Sequence, residues 1–438
     1  MNTPFAIDID WRSANNDRDE IRITGAALSI RVGEHVATQA FDDWSKSVSD
    51  SIHVSAYPLA LWFAASWWRL RWEPGFQESA PPLDWRQSHN CTAAGHGFIW
   101  PRLQFESDGE GIDIACWPTN GGPAEPLRYL SRFRAHVTIR DYERAIDDFV
   151  SLVLSRLDSQ GIRDTELHAT WADVMAERGS PQETRLRRTE ARLGFDPDAA
   201  PEALLHEILN LDSVAGEAAA AELTPACAGS NPEERVARLL EVARSGAGIP
   251  ARFTHSSAIL ETMFSADFQL SPPWERGWRL ARSARKDWKL GDGPVSPKRF
   301  SEILGVTAKN LTNGPAAGSD LAAGLAVRQG GNKRSLFLRR ANRQGRMFEA
   351  ARLLVDDFRA PDADIWLLAT GTKSVRQKVQ RAFAAEFLCP IEALDEFLAG
   401  DYSPERCEDA AEYFDVAPIT IRSHLANNHL IAVEDIYR

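Results

Sequence analysis

Residues 346–390 constrain this chain more than any other stretch. They read RMFEAARLLVDDF, a short loop, then VRQKVQRAFAAEFLCP. Met347, Ala350, Ala351, Leu354 and Phe358 recur at the spacing that lines one side of an α-helix. Val375, Val379, Phe383 and Phe387 do the same in the second half. Pro390 closes that helix, because proline has no N–H to continue the hydrogen-bond ladder. The spacing predicts two helices, each with an apolar face to bury.

Arg346 and Ala350 in the first helix hold the frame of a longer motif, R-F-x-x-A-H-E-x-x-H. Phe383, Ala384, Ala385, Leu388 and Pro390 hold the frame of a second, E-x-x-A-N-x-F-A-A-x-L-L-M-P. On these residues the stretch resembles the ImmA/IrrE family of zinc endopeptidases, and from Ser271 onward the resemblance covers the rest of the chain. In register, the family's two zinc histidines become Ala351 and Val355, its catalytic glutamate becomes Arg352, and its third ligand becomes Gln377. Zinc takes histidine, cysteine or carboxylate ligands, and a hydrolytic site needs three plus an open position. None of these four side chains serves. The resemblance therefore implies a zincin-like fold with no catalytic residue, no cofactor and no metal at the family site. It implies a regulatory or protein-interaction role, since such relatives accompany repressors, toxin–antitoxin pairs or mobile-element defence. It also implies a groove beside the strand before Arg346, where relatives hold an extended substrate by backbone pairing.

The expected fold class is α+β and mostly helical. With 438 residues, two or three domains are expected. Residues 1–140 read as a tryptophan-rich α+β domain, with strands at 21–24, 27–32, 97–105, 111–117 and 129–139 and a helix at 59–70. Residues 141–245 read as a helical region, with 216–232 a linker rich in Ala, Gly and Pro. Residues 271–400 form the ImmA/IrrE-like domain. Residues 401–438 form a helix-turn-helix-like element, N-capped by Ser403 with Pro404 at the first helical position. Ala410, Phe414, Val416, Ile421 and Leu425 make its shared core.

A net charge of −12 argues against nonspecific binding of polyanions by the whole molecule. Nucleic acid would need a local patch. Lys333, Arg334, Arg339, Arg340 and Arg343 form one, and Arg422 stands on the second helix of the C-terminal pair. A DNA-binding regulator is thus the second functional reading, behind a protein partner. The third is an enzyme whose site lies in the N-terminal domain. There, Trp62, Trp67, Trp68 and Trp72 read as core, with a stacking platform beside Arg69 and Arg71 as the alternative. His89, Cys91 and His96 lack the paired spacing of a zinc site and read as loop residues. The acidic pairs Asp147-Asp148 and Asp356-Asp357 read as solvated helix faces. Five scattered cysteines suit the reducing cytoplasm. The N-terminus shows no secretory pattern, and the longest apolar run, 57–68, is too short to cross a bilayer. A cytoplasmic protein without a membrane partner is expected.

Overall fold

Alternating apolar residues build the first part of the chain from strands. Phe5–Trp11 buries Phe5 and Ile7 and runs antiparallel to Gly25–Val32, whose Leu28, Ile30 and Val32 are buried. Ile52–Ser55 also pairs with Gly25–Val32. A second sheet orders Phe133–Thr138, Gly111–Trp117 and Arg102–Ser107, all antiparallel. The Asp108-Gly109 turn joins the last two, with Asp108 N–H donating to Gly111 O. The expected strand at 21–24 is helical instead, within Asp19–Ile23. The expected helix at 59–70 is two helices, Tyr57–Ala65 and Trp67–Trp72, interrupted at Ser66.

The computed structural model describes residues 4–12, 16–75, 82–119, 127–229 and 231–432. The chain divides into two units, Met1–Leu205 and His206–Arg438, each mixing helices with small antiparallel sheets. This differs from the expected plan of segments 1–140, 141–245, 271–400 and 401–438. The helical middle is not a body of its own. The helix Ile139–Ser159, capped by Thr138, buries Tyr142, Ile146, Phe149, Val153 and Leu157 in one core with Phe5, Phe63 and Phe105. An amphipathic helix must bury its stripe somewhere, and the N-terminal sheets offer the nearest apolar face.

Residues 216–232, expected as a linker, contain the helix Glu217–Cys227, which packs against the strand Trp366–Thr370 of the second unit. That strand itself lies in what the sequence presents as a loop between the two motif helices. It belongs to a four-stranded antiparallel sheet in the order Ile249–Arg252, Lys333–Phe337, Ala323–Arg328, Trp366–Thr370. The motif helices are Arg343–Arg359 and Val375–Leu388. Among the described residues no helix is long and apolar enough to cross a membrane.

Candidate functional site

The two motif helices begin at capped positions. Asn342 accepts from Gly345 N–H, and Ser374 accepts from Gln377 N–H. These caps satisfy N–H groups that the first helical turns leave without an intrahelical partner. A third helix, Pro273–Asp287, lies close against Val375–Leu388 at Gly277. A Cβ there would sit 2.6 Å from Val379 O, so only glycine permits this approach.

The four positions singled out by the sequence resemblance, Ala351, Arg352, Val355 and Gln377, split into two kinds. Ala351 and Val355 are fully buried in the apolar core with Leu354, Val379 and Phe383. Arg352 and Gln377 meet each other: Arg352 Nη2 donates to Gln377 Oε1 at 2.5 Å and to Thr370 O at 2.6 Å. Gln377 Oε1 also accepts from Thr370 N–H at 3.0 Å. Gln377 Nε2 donates to Leu368 O and to Glu222 Oε2, each at 3.0 Å. Burial lowers the Arg352 guanidinium to about 9, so it stays charged at neutral pH.

These bonds seal a strand edge. Trp366–Thr370 pairs on one side only, with Ala323–Arg328. On its other side Leu368 N–H donates to Asp356 Oδ2, and Leu368 O accepts from Gln377 and Gln380. Thr370 is closed by Arg352 and Gln377. Side chains one turn apart on each helix thus replace the missing strand. Asp356 is not a solvated residue as expected: it is fully buried and bidentate with Arg376 at 2.8 and 2.7 Å. Burial pushes its carboxyl up, and Arg376 more than reverses this, leaving it below the usual range. Asp357 is likewise internal, held by Arg328 and Arg334.

On the opposite side of the sheet, the strand Lys333–Phe337 is covered as well. The expected substrate groove beside Lys333–Phe337 is filled by the chain itself. Ile249–Arg252 pairs along that strand, Ile249 opposite Leu336 and Arg252 opposite Lys333. Phe253 N–H donates to Asn332 O, which turns Ile249 and Ala251 inward and leaves Pro250 and Arg252 facing out. Pro250 has no N–H to offer there, and Gly305 packs on the Arg252 backbone.

The basic stretch is largely spent inside the protein. Arg334 binds both oxygens of Asp357, and Arg339 binds Glu349. Arg343 pairs with Asp415, and the fully buried Arg346 donates to Leu311 O and Asn310 O. Lys333 and Arg340 are exposed, with no ion pair among the described residues. In the C-terminal pair, Ser403 caps Pro404–Phe414 and a second helix spans Pro418–Asn427. His424 is buried and its Nε2 meets Glu386 Oε2 at 3.0 Å, which docks this helix on Val375–Leu388. Arg422 is half-buried. Residues 391–432 carry nine acidic residues against two arginines, a poor surface for a phosphate backbone.

In the first unit the tryptophan stripe at 62–72 belongs to the core. Trp62, Trp67 and Trp68 are buried, and Trp72 is covered by Arg71 and Arg188, 3.9 and 4.1 Å from its ring centre. His89 is fully buried and stacks on Trp85 at 4.1 Å. Burial lowers its pKa to about 3, so it is neutral beside Glu73, 3.7 Å away. Cys91 is buried, while the hydrogen bond of His96 among the described residues is a local one to Ala94 O. Two residues of the sealed centre escape sequence reasoning. Glu222 sits in the segment expected as a linker, and Arg381, which donates to Thr372 O at 2.9 Å, looks like any helix-surface arginine.

No family model, no curated protein and no solved structure matches this chain.

Proposed function

We propose that this chain is a non-catalytic, cytoplasmic relative of the ImmA/IrrE peptidases that acts by binding a protein partner. One observation carries the reading: Arg352 and Gln377, at the positions of the catalytic glutamate and the third ligand, are hydrogen-bonded to each other. A water-activating base must be an acceptor near a metal, and Arg352 is a donor with a fixed charge. The vacated histidine positions, Ala351 and Val355, are packed solid. The resemblance gives the kind of partner: a repressor, a toxin or a defence component. Because Ile249–Arg252 already occupies the place beside Lys333–Phe337 and side chains cap the free side of Trp366–Thr370, the partner does not bind by adding a strand at either position. Metal analysis of the purified chain, together with a peptidase assay on the protein recovered with it from its host, tests the proposal. Expected are trace zinc and an intact partner. Stoichiometric zinc that disappears in Gln377→Ala, or cleavage lost in Arg352→Ala, would overturn it.

A further inference from the structure

Among its described residues, the second unit buries a positive charge with no ion-pair partner. Arg352 is 7% exposed and meets no carboxylate among the described residues. Its Nη2 serves Thr370 and Gln377, and its Nε is buried with no acceptor. The nearest carboxylates are already engaged: Glu349 by Arg339, Asp356 by Arg376. Glu222, the carboxylate closest in effect to Arg381, is held by Ser374 and Gln377. Arg381 adds a second guanidinium with no ion pair among the described residues, donating to Thr372 O at 2.9 Å. The two arginines therefore grip the carbonyls on either side of Gly371. Gly371 is exposed, and a Cβ added to it would meet nothing within 4 Å. A guanidinium taken out of water is strongly unfavourable unless a partner offsets the lost hydration. Burial lowers Arg352 to about 9 and Arg381 to about 10, so neither escapes by losing its proton at neutral pH.

We propose that the open side of Gly371, whose flanking carbonyls Arg352 and Arg381 hold, binds an oxyanion, a carboxylate or phosphate group that supplies the missing counter-charge. Guanidinium groups suit both, since their planar donor sets match two oxygens at once. The site inverts the sign of a metal centre: the protein supplies the cation and the ligand supplies the oxygens. Its two sources are a free phosphate ion and a carboxylate presented by a protein partner. The proposal rests on the reading that this centre holds no metal, and the two fail separately. Stoichiometric zinc removes both, whereas a zinc-free protein that ignores anions removes only this one.

The test is calorimetric titration of the full chain at fixed ionic strength. The probes are inorganic phosphate, a short peptide with a free C-terminal carboxylate, and the same peptide amidated. Saturable binding is expected for phosphate or the acid peptide, with Kd on the order of 1 mM or tighter, and none for the amide. Phosphate alone identifies a free-ion site; the acid peptide identifies a partner's carboxylate. Arg381→Gln, at a half-buried position, should weaken binding about tenfold or more. Arg352→Gln should abolish it if the variant remains folded by circular dichroism, and Arg381→Gln decides alone if it does not. Gly371→Glu should block the titration by supplying the carboxylate from within. Absence of binding to phosphate and acid peptide alike, or unchanged affinity in Arg381→Gln, overturns the proposal.

Discussion

Arg352 and Gln377 stand on different helices and share one hydrogen bond, Nη2 to Oε1 at 2.5 Å. Both also bond Thr370, the arginine through its carbonyl and the glutamine through its N–H. The three residues form a closed ring that ties two helices to the end of a strand. Neither side chain can change without leaving a buried group unpaired.

Gln377→Ala removes the acceptor of Arg352 and Thr370 N–H and one donor to Leu368 O. A loss of about 2–4 kcal/mol is expected, given the usual penalty for buried unsatisfied groups. Urea denaturation should show a lower midpoint with an unchanged slope. A loss under about 0.5 kcal/mol would mean that water replaces the amide freely.

Arg352→Glu installs a glutamate where the resembled motif carries its catalytic one, yet should not yield an enzyme. The new carboxylate would face Thr370 O and Gln377 Oε1, both acceptors, in a buried site. A destabilisation of about 3–5 kcal/mol follows from an unpaired buried charge. Thermal unfolding with and without added zinc checks this; a variant as stable as the parent contradicts it.

Two glycines should behave oppositely when changed to alanine. Gly305 has φ +62°, and its Cβ would lie 2.5 Å from Arg252 O, so Gly305→Ala should destabilise by about 2–3 kcal/mol. Gly371→Ala meets open space and should stay within about 0.5 kcal/mol of the parent. Equal effects would show that the Gly305–Arg252 contact does not hold the sheet edge.

Glu73 gives the first unit a pH dependence. Burial raises its pKa to about 7, an effect that Arg69, bonded at 2.7 Å, only partly offsets. Between the unfolded value, near 4.3, and about 7 the folded state holds more proton than the unfolded one. Stability is therefore lost as pH rises through this window. Glu73→Gln should flatten that slope in denaturation curves at pH 4.5–7. An unchanged slope would assign it to other groups.

The motif helices were legible because long amphipathic periodicity survives burial. The Ser403 cap was legible because capping chemistry is local. The two outer strands of the sheet were not. Trp366–Thr370 is buried on every residue, so it lacks the alternation that marks a half-exposed strand. Ile249–Arg252 is four residues long and contains Pro250, which counts against a strand unless its missing N–H faces outward. The Gly and Pro of 216–232 suggest loose chain, although alanine, its commonest residue, is the strongest helix former. That reading concealed Glu222. The frame of the candidate centre could be placed from sequence, but its wiring could not, because hydrogen bonds between Arg352, Gln377 and Thr370 depend on how distant segments dock.

The order of strands also has a consequence during synthesis. Ile249 pairs with Leu336, a loop of roughly ninety residues, whereas Ala323–Arg328 and Lys333–Phe337 form a local hairpin. A ribosome therefore releases Ile249–Arg252 long before its neighbour exists. The nascent strand waits unpaired, an edge that could join another chain. Pro250 removes one N–H from the side that stays outward and limits such pairing while the strand waits. The same proline that marks the finished sheet's border thus acts first as a guard on the growing chain.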